Sequence, residues 1–417
     1  MAPRLALFAV AALPLAAAQQ HNFPGADATA LIPWLDASDG VDWTNPVSVD
    51  VRFSSTADKK DAAYPEVDTG SQGIVFGAER KALNFTSTVN CTQLIHKQDL
   101  DFDCEAAGGE QGWEYLDSSD RLYQGCWVQR DLYFNVGTHS EKSPLVHSRV
   151  KLLVAVCTSV CRNLTHKDSP KVGCADQDWA PSGKTGAIEM FGIGFGRESG
   201  PHSNATPDKN PMRNVVDIAG QDMSTFYNGY MLTKFGIQVG LTDALTQGMR
   251  FYPLQAKNMS QVPPGVHDWQ GPQVGISVDG GPTAWGSALL DTGLNYSFLE
   301  MPNGTPWHLA LKGKDEYVLA DGSRVDIVFA DPGTGYVAAT QSYVVGGASA
   351  SDPHGTSPAW VVPFYRSPTF VNTGRLFYRG FDIAFDDKKG WFGLRTLPVE
   401  HNVSNSLNDQ RPVRVDL

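Results

Sequence analysis

The chain has 417 residues, a formal charge of −12, 41% hydrophobic and 19% charged residues, which is enough length for two core-bearing units and far from a disordered composition. The acidic balance, with no run of Lys/Arg to override it, argues against nucleic acid and anionic membrane as partners. Gly (41) and Pro (26) are plentiful and cut the apolar runs short, a texture of many strands and tight turns.

In chain order, Met1 to Arg4 is positively charged, Leu5 to Ala16 is apolar, and Ala16 to Ala18 are small. Residues 1–18 therefore read as a signal peptide cleaved before Gln19, the apolar stretch being short for a bilayer span. No second hydrophobic span follows, and the tail from Arg411 to Leu417 has no lipid-anchor pattern. A secreted, extracellular, monomeric protein is the expectation. Residues 19–46, with Pro24, Pro33 and Pro46, form a lead-in, and strand-like alternation starts at Val47-Ser-Val-Asp-Val-Arg-Phe53.

After a loop with Lys59, Lys60 and Asp61 comes Val67-Asp-Thr-Gly-Ser71, then strand candidates at Arg130 to Asn135 and Arg149 to Val156. Six cysteines (Cys91, Cys104, Cys126, Cys157, Cys161, Cys174) form an even set compatible with three disulfides. Their spacing fits no zinc site, and Cys157 and Cys161 are read as structural. Of the 15 possible pairings, Cys91–Cys104 is the first expectation because it closes a local loop. Sequons at Asn84, Asn90, Asn163, Asn204, Asn258, Asn295, Asn303 and Asn402 predict a glycoprotein.

Ser199 to Met212, rich in turn residues, reads as a solvent loop, and Asn214 to Lys234 has helical periodicity where the chain would cross between units. The second half repeats the strand texture at Tyr317 to Phe329 and Phe381 to Phe392. The expected organisation is 47–212, 213–397 and a tail, 398–417.

The halves share an echo: Val67-Asp-Thr-Gly-Ser71 in one and Leu290-Asp-Thr-Gly-Leu294 in the other. Two carboxylates held close cannot both ionise cheaply, so they share a proton. The ionised member takes a proton from water while the protonated one polarises an electrophile. The glycine allows close approach of two loops, and the threonine hydroxyl can satisfy buried backbone groups.

In these motifs the chain resembles the pepsin-like aspartic proteases. The resemblance covers roughly residues 47–397 and includes Met190-Phe191-Gly192 and Asn372-Thr373-Gly374 where that family braces its catalytic turns. Gly380-Phe-Asp-Ile-Ala-Phe-Asp386 and Gly390-Trp-Phe-Gly393 are similar to its closing strands. The resemblance implies an all-β, bilobal pepsin-like (acid protease) fold, two β-barrel-like lobes around a central cleft. It implies Asp68 and Asp291 as the catalytic pair, with support from Thr69, Gly70, Ser71, Thr292 and Gly293. Thr69 and Thr292 would lock the loops across the interface. Trp113-Glu-Tyr-Leu-Asp-Ser-Ser119 with Leu122-Tyr-Gln-Gly125 is the best match to the family's flap and makes Tyr115 the flap tyrosine.

Three features depart from that pattern. Leu294 replaces the hydroxyl residue that should hydrogen-bond the second carboxylate, a contact worth ~1–3 kcal/mol in a buried site. The flap candidate lacks a glycine-rich tip, and 19–67 leaves little room for a basic propeptide. Aspartic-type endopeptidase chemistry on a polymeric extracellular substrate is the leading expectation, with no cofactor and no metal. A polysaccharide hydrolase or lyase is the alternative, with Trp113 and Trp127 as stacking platforms and Arg121 or Arg375 lining the cleft; a non-catalytic binding protein is the third. No His-Glu-x-x-His pair or serine elbow is present, and Gly192, Gly194 and Gly196 suit strand bracing rather than a dinucleotide. Asn295, four residues after Asp291, is expected to stay unglycosylated, because a glycan there would crowd the cleft.

Overall fold

Apolar runs of four to eight residues are too short for a helical stripe but suit the two-residue period of a strand. The computed structural model of the chain is all-β, 47% strand and 5% helical. It describes residues 21–24, 28–56, 58, 61–87, 89, 91, 103–116, 119–137, 140, 143–160, 184–197, 206–222, 224–257, 267–313, 316–347 and 352–399. The expected signal peptide, residues 400–417 of the tail, Cys161 and Cys174 lie outside these, as do the sequons at Asn90, Asn163, Asn204, Asn258 and Asn402.

The first strand, β1 (Ala30–Pro33), belongs to a six-stranded sheet. The next ten build a sheet of their own: β2 (Val51–Arg52), β3 (Ala62–Ala63), β4 (Glu66–Asp68), β5 (Gln72–Gly77), β6 (Gly109–Leu116), β7 (Arg121–Phe134), β8 (Val146–Val160), β9 (Glu189–Ile193), β10 (Val215–Ile218) and β11 (Gln221–Asp222). The chain returns to the six-stranded sheet with β12 (Gly229–Thr233), β13 (Gly236–Val239) and β14 (Arg250–Pro253). It then runs through β15 (Gln273–Val278), β16 (Ala284–Leu289), β17 (Ser297–Met301), β18 (Leu309–Lys312), β19 (Glu316–Leu319), β20 (Arg324–Asp331), β21 (Tyr336–Val344), β22 (Val361–Tyr365) and β23 (Thr369–Asn372). Of these, β18 and β19 form a separate hairpin and the rest a seven-stranded sheet. Finally β24 (Phe381–Asp386) and β25 (Trp391–Thr396) close the six-stranded sheet, in the order β1-β13-β12-β24-β25-β14.

The ten- and seven-stranded sheets contain the same four-strand arrangement. It runs β8-β5-β9-β4 in one and β22-β17-β23-β16 in the other. Neighbours are parallel, antiparallel and parallel in both. The register repeats as well. Met190 on β9 faces Glu66 and Val75, and Asn372 on β23 faces Leu289 and Phe298. These partners stand two residues before and seven after Asp68 and Asp291. Buried residues of both arrangements, among them Ile74, Phe76, Phe191, Leu299 and Val371, join one hydrophobic cluster, each worth about 1.5–3 kcal/mol of transfer free energy.

The expected strands at Arg130 to Asn135 and Arg149 to Val156 lie largely in β7 and β8. The expected helix at Asn214 to Lys234 is instead β10, β11 and β12. Ala219 and Gly220, at φ 54° and 76°, form a tight turn that no helix accommodates. All of β12 is buried between β13 and β24, and a strand buried on both faces loses the alternation that distinguishes it from a helix.

The expected solvent loop is also corrected in its described part. Asn210 is fully buried and its side-chain amide donates to the carbonyls of Ile193 and Gly194 (3.0 and 2.8 Å), so 206–212 is an internal support. The cysteines pair as Cys91–Cys157 and Cys104–Cys126, not Cys91–Cys104. Strand register decides this: the Cys104 carbonyl accepts the Gly109 N–H at the start of β6, beside Cys126 on β7, while Cys91 lies against the Val156 carbonyl on β8.

Candidate active site

Each Asp-Thr-Gly turn is built by its four-strand frame. β4 delivers Asp68 parallel to β9, with Asp68 opposite Gly192, and β5 leads away antiparallel to β9. The second turn sits between β16 and β17, with β23 as the brace. Behind the first turn the Gly194 N–H donates to the Ser71 carbonyl (2.8 Å). A Cβ at Gly194 would stand 2.3 Å from the Thr69 carbonyl oxygen, so only glycine fits.

The two turns are cross-bonded. The Thr69 N–H donates to Thr292 Oγ1 (3.0 Å), and the Thr292 N–H donates to Thr69 Oγ1 (2.9 Å). Each hydroxyl then donates to the strand entering the other turn: Thr69 to the Leu290 carbonyl (2.5 Å) and Thr292 to the Val67 carbonyl (2.7 Å). Both threonines are buried, so each bond also prevents a backbone group from being left unsatisfied, at ~1–3 kcal/mol apiece. Tyr378 adds its hydroxyl, 3.2 Å from Thr69 Oγ1, and donates to the Leu290 carbonyl (3.1 Å).

This lock brings the carboxyl groups of Asp68 and Asp291 together, each beside the glycine of the opposite turn. A Cβ on Gly70 would lie 2.4 Å from Asp291 Oδ2, and one on Gly293 would lie 2.8 Å from Asp68 Oδ1. The approach therefore requires glycine in both turns. The Gly70 N–H donates to Asp68 Oδ1 (2.6 Å) and the Gly293 N–H to Asp291 Oδ1 (2.7 Å). Asp68 Oδ2 accepts from the Ser71 hydroxyl (2.7 Å), as the sequence suggests. Asp291 Oδ2 accepts from the Asn372 side-chain amide (2.6 Å). Asp291 is pushed up to about 7, first by burial and then by the charge of Asp68, against the opposing hydrogen bonds from Asn372 and Gly293.

Asn372 escaped the sequence reading as a site residue. Its signal was there: the second brace, Asn372-Thr373-Gly374, opens on two polar residues where the first, Met190-Phe191-Gly192, is apolar. Leu294 is half-buried and brings no donor. Tyr115 has a different setting from the one expected of a flap tyrosine: it is fully buried on β6 and its hydroxyl donates to Asp120 (3.1 Å).

Trp127 is buried, with the Lys209 ammonium 4.2 Å from its ring centre, so this face offers no platform for a sugar. Arg375 is also buried, donating through Nη2 to the Gly293 carbonyl (2.9 Å), and burial pushes its guanidinium down. It supports the second turn from behind rather than lining an open cleft. Arg121 is half-buried at the start of β7.

A cavity of ≈ 360 Å³ touches both turns through Thr69 and Leu290 and is otherwise lined in part by Phe195, Tyr230, Leu289 and Phe370. It reaches the lock rather than the carboxyl groups. Past the second turn, Tyr296 stacks on Trp360 (4.8 Å, 7°), and Phe364 and Tyr365 on neighbouring β22 are exposed. Asn84, Asn295 and Asn303 are exposed. Among the described residues no helix is long and apolar enough to cross a membrane.

No protein-family model matches the chain, and no curated protein matches it significantly in sequence.

Proposed function

We propose that the chain is a secreted aspartic endopeptidase of pepsin-like, two-lobed architecture, with Asp68 and Asp291 as its catalytic pair. The observation that carries this reading is the reciprocal lock, Thr69 against Thr292, which holds two carboxyl groups within reach of one shared proton. In this reading the ten- and seven-stranded sheets are the cores of the two lobes and the six-stranded sheet joins them.

Asp291, the more buried and proton-retaining member, holds the proton. Asp68 then carries the charge. A water between them gives a proton to Asp68 as its oxygen attacks the peptide carbonyl carbon. Asp291 gives its proton to the carbonyl oxygen, forming a neutral gem-diol. Return of the proton from Asp68 to the amide nitrogen breaks the C–N bond, and a gem-diol proton passing to Asp291 restores the pair. The exposed rings of Phe364 and Tyr365 on β22 suit apolar side chains of an extended polypeptide.

The carboxyl separation favours this over a glycoside hydrolase. That chemistry places its carboxyl groups about 5 Å or more apart to admit the sugar carbon or a water, whereas here the threonine lock holds each carboxyl group against the glycine of the opposite turn. The buried, cation-covered Trp127 removes one of the two sugar platforms. The test is an assay of the secreted protein on peptide libraries below pH 6, with a statine-type inhibitor and with Asp68→Asn. Cleavage that both treatments abolish, by at least roughly 10³-fold, supports the proposal. Cleavage unaffected by Asp68→Asn, or no cleavage of any peptide, overturns it.

A further inference from the structure

The register makes Met190 and Asn372 counterparts: each lies opposite the residues two before and seven after its aspartate. Ser71 and Leu294, each three residues past its aspartate, are counterparts too. In the first half the polar side chain is Ser71 and the brace residue is apolar. In the second half the two roles are exchanged, with Leu294 apolar and Asn372 polar.

Asn372 is held at both ends of its amide. Its Oδ1 accepts the Gly374 N–H (3.0 Å) while Nδ2 donates to Asp291 Oδ2 (2.6 Å). Turning the amide over would face two donors at one end and two acceptors at the other, so its orientation is determined by its partners. The residue is buried.

We propose that Asn372 is a positioning residue for the reaction of the Asp68/Asp291 pair. Its amide supplies, from the brace strand, the hydrogen bond that position 294 lacks, and so fixes the orientation of the Asp291 carboxyl. This rests on the endopeptidase reading and adds a chemical difference between the two aspartates. A hydroxyl either donates or accepts, so Ser71 accommodates Asp68 whether or not its Oδ2 carries a proton. An amide N–H only donates, so Asn372 favours the charged form of Asp291 and opposes burial. Asp291 must give up its proton and regain it in every cycle, and a fixed donor keeps that exchange in reach.

The experiment uses the full chain with Asn372→Leu, which removes the donor at similar volume, and Asn372→Leu/Leu294→Thr, which puts a hydroxyl back from the other side. Peptide cleavage is followed against pH, and Asp291 is titrated by carboxyl ¹³C NMR, its signal assigned with Asp291→Asn. For Asn372→Leu the expected result is a kcat lower by roughly 10–100-fold with KM little changed. The basic limb of the pH profile and the Asp291 titration should both move to higher pH. The double variant should regain at least about tenfold in kcat and move both back.

Unchanged kcat and titration in a folded Asn372→Leu overturns the proposal. Should that variant fail to fold, the double variant decides: near-parental activity and titration support the proposal, and a folded but inactive protein, or one that does not fold, overturns it. Failure of the endopeptidase reading looks different, as absent or Asp68-independent cleavage. In that case the Asp291 titration alone tests Asn372.

Discussion

Asp68 and Asp291 occupy the same place in the same four-strand frame, yet the two halves support them differently. The first carboxylate takes its outer hydrogen bond from Ser71 in its own turn, the second from Asn372 on the brace strand. Around the frame the contrast widens. In the first half, Cys91–Cys157 and Cys104–Cys126 tie neighbouring segments to β8 and β7. No cysteine follows Cys174, and the second half adds the hairpin β18–β19 instead. What is common to both is the register of turn against brace, because that register brings the carboxyl groups together. Donors and staples can be relocated as long as it is kept.

The largest expected effect tests whether the first half depends on its staples. The Cys91–Cys157 bridge spans 66 residues and Cys104–Cys126 spans 22. Chain-entropy reasoning assigns them about 4 and about 3 kcal/mol. Replacing each pair by alanine should lower stability in that order, read from urea unfolding. Hydrogen exchange should quicken in β5, β8 and β9 before β17 and β23. Equal loss of protection in both halves would show that the frames unfold as one unit and that the staples serve both.

The lock between the halves comes next. Thr69 and Thr292 make reciprocal bonds, but only Thr69 also meets Tyr378. Thr69→Val should therefore cost about 3 kcal/mol and Thr292→Val about 2 kcal/mol, measured as shifts in the urea midpoint. Equal costs would mean that Tyr378 adds nothing and that the lock is symmetric in energy as well as in geometry.

These contrasts separate what was legible in the sequence from what was not. The two Asp-Thr-Gly turns are local, each set by three consecutive residues, and both were readable, as was the bracing role of Gly192 and Gly194. The Asn372–Asp291 bond joins residues 81 positions apart, and only the register of β23 against β16 brings them together. The cysteine pairing was missed for the same reason: a short loop is the shorter path in sequence, but Cys126 and Cys157 are presented by strands. The expected helix at Asn214 to Lys234 was a wrong period, drawn from a strand buried on both faces and a turn hidden in Ala219-Gly220. For Tyr115, local similarity located the β6–β7 hairpin but carried no information on which face of it the ring would take.

The narrowest effect concerns Asp291 alone and sharpens the comparison between the carboxylates. Its pKa of about 7 in the folded protein lies above that of an unfolded aspartate, about 3.9. Between those values the folded state binds more protons than the unfolded one. The contribution is fully present below about pH 4, is lost as pH rises towards 7, and is gone above it. Asp291→Asn removes this dependence while adding a pH-independent cost, because one of its two acceptor sites becomes a donor facing Asn372 or Gly293. The informative quantity is therefore the change in stability between pH 3 and pH 8, in which that cost cancels. The fall across this range should be smaller in Asp291→Asn than in the parent, read as a smaller drop in the midpoint of thermal unfolding. An identical fall in the two proteins would mean that Asp291 ionises as easily folded as unfolded, and the assignment of the shared proton to the second turn would then be lost.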